Sequence, residues 1–169
     1  MTKDDHHNVY ILKNSEYIGW LDLQDEIRPE AKDIISFLKK MNLKTILLSG
    51  DRKEKCTRIQ EQLNIDEIYA EQSPEEKLVK IAALNNELPT AMVGDGINDA
   101  PALAKATIGI SLSEASQLAI QSAQVVLMNS GLSKLPTALG LGKHTYLTIK
   151  QNLFWAFFYN VIAIPVAAF

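Results

Sequence analysis

The chain has almost no cysteine, no excess of basic charge and no internal repeat. A single cysteine, Cys56, among 169 residues excludes an internal disulfide and fits a reducing compartment. Lys and Arg total 17 against 20 Asp and Glu, a net charge of −3. With no basic arm and no aromatic residues interleaved with basic ones, nothing points to a nucleic acid partner. The N-terminal "MTKDDHHN" is polar and does not read as a signal peptide. His6 and His7 have no further ligand types nearby and read as solvated chain end rather than a metal pair. The length suits about one domain.

One stretch lacks charge altogether. From Gln151 to Phe169, "QNLFWAFFYNVIAIPVAAF" carries no charged residue, and Lys143 and Lys150 lie just before it. As a helix rising ~1.5 Å per residue it would reach about 28 Å, close to a ~30 Å hydrocarbon core. A transmembrane helix, cut short at its far end, is therefore expected over 151–169. The preceding lysines put residues 1–150 on the cytoplasmic side. A buried terminal helix of a soluble protein is the alternative.

The rest alternates short apolar runs with amphipathic ones. Residues 9–12 and 17–23 read as a hairpin turning at "KNSE". In 30–41, Ala31, Ile34, Ile35, Leu38 and Met41 share a helical face behind Pro29. "TILLS" (45–49) reads as a strand, "KEKCTRIQEQLN" (53–64) as a helix with Cys56 on its core face, and "EIYA" (67–70) as a strand. "SPEEKLVKIAALNN" opens with Ser73 as N-cap, Pro74 at the first position and Glu76 placed for a capping box. "TAMV" (90–93) is the next strand and "NDAPALAKA" a helix. "TIGIS", "EASQLAIQSA" and "QVVLM" give strand, helix, strand, and a longer helix starts near Ser133. The pattern predicts an α/β fold, a parallel sheet with helices on both faces.

In such sheets ligands bind beyond the carboxyl ends of the strands. "LLSGD" puts Ser49, Gly50 and Asp51 there after one strand. "MVGDGIND" puts Asp95, Asn98 and Asp99 there after another. A hydroxyl and backbone N–H from the first could hold a phosphate, and carboxylates from the second could hold a hard cation. Gly94 and Gly96 would let the backbone turn and approach a ligand. Asn98 could also cap the following helix. Lys77, between the two loops in sequence, could neutralise phosphoryl charge. The competing explanation is that Asp51, Asp95 and Asp99 cap helices.

"LLSGD", "SPEEK" and "MVGDGINDAPAL" resemble the later motifs of the haloacid dehalogenase superfamily, in particular its P-type ATPase branch. "DEIRPEAKDII" is similar to that branch's D-x-x-[RK]-P segment. The resemblance implies a Rossmann-like domain with Mg²⁺ as cofactor and ATP as substrate. It places Ser49, with Gly50, and Lys77 on the phosphoryl group, Asp95 on Mg²⁺, Asn98 and Asp99 in the same pocket, and Asp51 near the nucleotide. The tail resembles the seventh membrane helix of heavy-metal ATPases, with Tyr159-Asn160 as in the copper(I)/silver branch. That implies a role for the pair toward transported Cu⁺ or Ag⁺. By residue chemistry alone an oxygen–amide pair is not a soft-metal site, and polar helix packing is the alternative.

The superfamily's nucleophile is an aspartate followed two residues later by Thr or Asp, within D-K-T-G-T in P-type ATPases. No aspartate of this chain has either residue two positions on. The resemblance then implies 1–24 as the end of a nucleotide-binding insertion or an entry hairpin, 25–132 as part of a phosphorylation domain without its nucleophile strand, 133–150 as a linking helix, and 151–169 as the membrane segment. Such a sheet would have a gap or exposed edges. A fragment of a copper-transporting ATPase, inactive alone and partnered by the remaining part, is the first expectation. A soluble phosphatase of the superfamily, or a non-catalytic product acting through a partner chain, are the alternatives.

Overall fold

The computed structural model describes residues 9–21, 26–128 and 131–168, without the side chains of 166–168. His6 and His7 lie outside the described residues. Strands β1 (Val9–Lys13) and β2 (Glu16–Leu21) form the expected antiparallel hairpin, Tyr10 opposite Trp20. Its two-residue turn, Asn14-Ser15, has positive φ at both positions, 48° and 67°. That is the turn whose twist matches paired strands, and Asn tolerates it well.

The parallel part follows the expected alternation: α1 (Ala31–Lys40), β3 (Ile46–Leu48), α2 (Lys53–Leu63), β4 (Glu67–Tyr69), α3 (Pro74–Glu87), β5 (Ala91–Gly94), α4 (Ala100–Lys105), β6 (Ile108–Leu112), α5 (Gln117–Ser122) and β7 (Val125–Leu127). Local chemistry sets several boundaries. α2 stops at Asn64, which takes the left-handed conformation at φ 55°. α3 starts with a complete capping box: the Glu76 amide donates to the Ser73 hydroxyl at 3.2 Å, and the Ser73 amide donates to the Glu76 carboxylate at 2.8 Å. α5 is shorter than expected, because Ser116 caps it by accepting from the Ala119 amide.

Helices cover both faces. On one side Ile81 of α3 and Ala102 and Leu103 of α4 pack with Met92 of β5, Ala119 of α5 and Leu48 of β3. On the other, Ile34 of α1 and Leu135 pack on Ile110, Leu112 and Leu127. Cys56 is fully buried, as its helical face implied.

The parallel strands do not make one continuous ladder: among the described residues β3 pairs with β4 alone, and β5, β6 and β7 form a separate sheet in that order, an interruption of the kind expected from the sequence. β3 and β5 nevertheless share a core cluster through Leu48 and Met92. The break therefore lies inside the α/β layer, between β3 and β5. The expectation for the tail is not met among the described residues. α6 runs 34 residues from Leu135 to Ala168, but among the described residues no helix is long and apolar enough to cross a membrane. Gln151, Asn152, Tyr159, Asn160 and Pro165 dilute the apolar run, and Phe169 and the side chains before it lie outside the described residues.

Candidate functional site

The site lies where β3 and β5 end. After β3 the chain turns through Ser49-Gly50-Asp51. The Asp51 amide donates to the Ser49 hydroxyl at 3.1 Å, and that hydroxyl donates to the Asp51 carboxylate at 3.0 Å. Lys55, one helical turn on, donates to the same carboxylate at 3.1 Å. The Lys55 hydrogen bond holds Asp51 below the usual carboxylate range; the Ser49 hydroxyl and the charges of Lys55 and Lys77 add to this, against partial burial. Asp51 therefore braces its own loop. It caps no helix, since Arg52 is the N-cap of α2 and has no side-chain cap bond.

The loop after β4 is laced to the loop after β3. The Ser49 amide donates to the Tyr69 carbonyl, the Gln72 amide to the Ser49 carbonyl at 3.0 Å, and the Glu71 amide to the Asp51 carbonyl at 2.9 Å. Making these bonds puts Glu71 at φ 58°, uncommon for a non-glycine residue. Gly50 fits beneath, where a Cβ would lie 3.3 Å from the Gln72 carbonyl oxygen. Since Gln72 directly precedes the Ser73 cap of α3, the loop carrying Ser49 and the helix carrying Lys77 are fixed to each other.

Lys77 reaches the third segment. Its ammonium donates to Asp99 at 2.8 Å, with the two side chains only 12% and 18% exposed. Asp99 sits at the end of a single 3-10 turn, Ile97–Asp99, that follows β5. It occupies the N-cap position of α4 without a side-chain cap bond, so Asn98 does not cap that helix either. The glycines serve differently from expectation. Neither Gly94 nor Gly96 has a positive φ. A Cβ at Gly94 would lie 3.0 Å from the Asp99 Cβ, and one at Gly96 3.3 Å from Asp99 Oδ2. They make room for the Asp99 carboxyl.

Asp95 is different: its side chain is 59% exposed, and its ion-pair partner is Arg28, at 3.9 Å. Arg28 belongs to the "DEIRPEA" segment and was given no role from the sequence. The signal present there was a basic residue placed directly before the proline that precedes α1. Asp95 and Asp99 offer hard carboxylate oxygens next to an exposed strand end. That donor chemistry fits Mg²⁺, which binds through one or two carboxylates and keeps waters for the rest. Among the described residues no group of three or more His, Cys, Asp or Glu could hold a metal by itself. Tyr159 and Asn160 stay apart from this site. Tyr159 is 71% exposed, and the Asn160 amide donates to the Ala156 carbonyl of its own helix at 3.0 Å.

A family model, "haloacid dehalogenase-like hydrolase", matches residues 2–107. The copper-exporting P-type ATPase B of Archaeoglobus fulgidus is 42% identical over 160 residues, covering 95% of this chain and 23% of that protein. The crystal structure of a zinc-transporting PIB-type ATPase in its E2.Pi state superposes with a TM-score of 0.83 at 33% identity, over 94% of this chain and 26% of that one. A catalytic domain of the CPx-ATPase CopB-B gives 0.63 at 34% identity, over 73% of this chain and 50% of that one. The chain spans between 16% and 23% of the length of the first curated relatives it matches. The motifs, the α/β architecture and these likenesses agree: the chain belongs to the haloacid dehalogenase-like hydrolase family and, within it, is similar to the phosphorylation domains of metal-transporting P-type ATPases.

Proposed function

We propose that this chain is the C-terminal part of the phosphorylation domain of a copper-exporting P-type ATPase, contributing Mg²⁺- and phosphoryl-binding loops to an ATP-driven membrane pump. The contact that carries the proposal is Lys77–Asp99 at 2.8 Å, because it joins "SPEEK" to "GDGIND" at the strand ends. In this proposal Ser49 and the Gly50 amide hold a phosphoryl oxygen, and Lys77 both orients Asp99 and neutralises phosphoryl charge. Asp95, supported by Asp99, is the carboxylate that holds Mg²⁺, with Asn98 in the same pocket and Asp51 stiffening the loop that faces the nucleotide. Mg²⁺ there would offset charge developing on the transferred group. Residues 1–150 would lie on the cytoplasmic side. Tyr159 and Asn160 are proposed to face Cu⁺ or Ag⁺ only within the parent pump, on the strength of the family likeness.

The phosphoryl acceptor is proposed to come from elsewhere, on a strand that fits between β3 and β5. The interrupted sheet supports that proposal, and it equally favours the second possibility, a non-catalytic product that docks with a partner chain. The test is hydroxylamine-labile ³²P incorporation from ATP. The chain alone should incorporate none. Mixed with an upstream segment carrying D-K-T-G-T, it should support labelling that Asp95→Asn and Lys77→Ala each reduce by at least tenfold. Labelling of the chain alone would overturn the proposal. No labelling in the mixture despite binding of the two pieces would favour the non-catalytic alternative.

A further inference from the structure

The two carboxylates of the site are held very differently. Lys77 binds Asp99 by a short, part-buried hydrogen bond. Arg28 stands 3.9 Å from Asp95, beyond hydrogen-bond length, with both side chains about half exposed at 46% and 59%. Their backbones, by contrast, are fixed. The Arg28 carbonyl accepts from the Ala31 amide at the start of α1, and α1 is anchored by Ile34 in the core. The Asp95 carbonyl accepts from the Ser116 amide at 3.0 Å. Gly131 also lies beside the guanidinium, its Cβ position 3.6 Å from Arg28 Nη1. Two fixed backbones thus present a loosely paired cation and anion across the mouth of the site.

We propose that Arg28 is a positioning residue that occupies the Asp95 carboxylate in the metal-free protein and competes with a divalent cation for it. This rests on the assignment of Asp95 as the cation ligand. A cation arriving at Asp95 meets a positive charge about 4 Å from the ligand oxygen and must displace it. The displacement is easy because no hydrogen bond has to break. Binding of the ion therefore frees the guanidinium, while the backbone of Arg28 stays held by the start of α1. An exposed pair at this separation is worth about a two- to fivefold change in affinity in water, and added salt should erode it.

The test is titration of the full chain with MgCl₂, followed through the backbone amide resonances of Gly94 and Gly96. Arg28→Gln should bind Mg²⁺ about two- to fivefold more tightly than the unaltered chain, and Arg28→Lys, which keeps the charge, should return to the unaltered affinity. The gap between Arg28→Gln and the unaltered chain should narrow as NaCl is raised. Unchanged or weaker Mg²⁺ binding by Arg28→Gln, while Asp95→Asn abolishes binding, would overturn the competition and leave the ion site standing. Equal Mg²⁺ binding by Asp95→Asn and the unaltered chain would remove the ion site itself.

Discussion

Single residues decide how tightly this molecule is assembled, and glycines show it most directly. A Cβ at Gly109 would lie 2.5 Å from the Leu103 carbonyl oxygen and 3.0 Å from the Gln124 side-chain oxygen. The first of these is helix backbone and cannot yield cheaply. Gly109→Ala should therefore separate β6 from α4 and destabilise the protein by about 1–3 kcal/mol, read as a lower urea midpoint with an unchanged slope. Chain order did not announce this glycine, since "TIGIS" reads as an ordinary buried strand and the close approach of α4 is a tertiary fact. Gly94 and Gly96 were visible as candidates, but their fit against the carboxyl of Asp99 is a contact that only folding supplies. Arg28 was the larger omission. Its motif was legible, yet only folding brings residue 28 to residue 95.

At the scale of elements, local chemistry carried much of the result. The Ser73 capping box, the helix over α1 and the hairpin turn could each be read from a few adjacent residues, because the interactions that make them are themselves local. Ser73→Ala removes the acceptor for the Glu76 amide and should cost about 1 kcal/mol. Because α3 positions Lys77, the same change should fray the site end of that helix first, seen as faster hydrogen exchange at residues 76–78 than in the rest of α3. The short helices were harder. The segment 114–123 has the composition of a longer helix, but the Ser116 cap and the hydrogen bond from its amide to Asp95 set a later start. The tail was less legible: Gln151, Asn152, Tyr159 and Asn160 interrupt its apolar run, and among the described residues no helix is long and apolar enough to cross a membrane.

For the molecule as a whole, Asp66 joins α1, β3 and β4. Its carboxylate accepts from the Thr45 amide at 2.8 Å and the Thr45 hydroxyl at 2.7 Å, and pairs with Lys39 of α1 at 2.9 Å. The Thr45 amide bond, then the Lys39 and Thr45 side chains, lower its pKa to about 2. A carboxyl depressed in the folded state contributes stability that is fully present above its ordinary pKa near 4 and is lost as pH falls toward 2. The urea midpoint should therefore drop between about pH 4 and pH 2, and Asp66→Asn should lower stability at pH 7 while flattening that part of the profile. An equally steep acid limb in Asp66→Asn would assign the loss to other carboxylates.

Among the described residues, the interrupted parallel sheet has four free edges where a continuous one has two. Edges attract extended chain, so this molecule should be sticky in a specific way: self-association rising with concentration and relieved by a short competing peptide. Two of the edges, however, end at Ser49 and at Asp95. A strand that zips in beside β3 and β5, running parallel to them, delivers its last residue between a hydroxyl loop and a carboxylate loop. The defect that exposes the protein to promiscuous pairing is thus also an address, and one that can be read only in the correct direction.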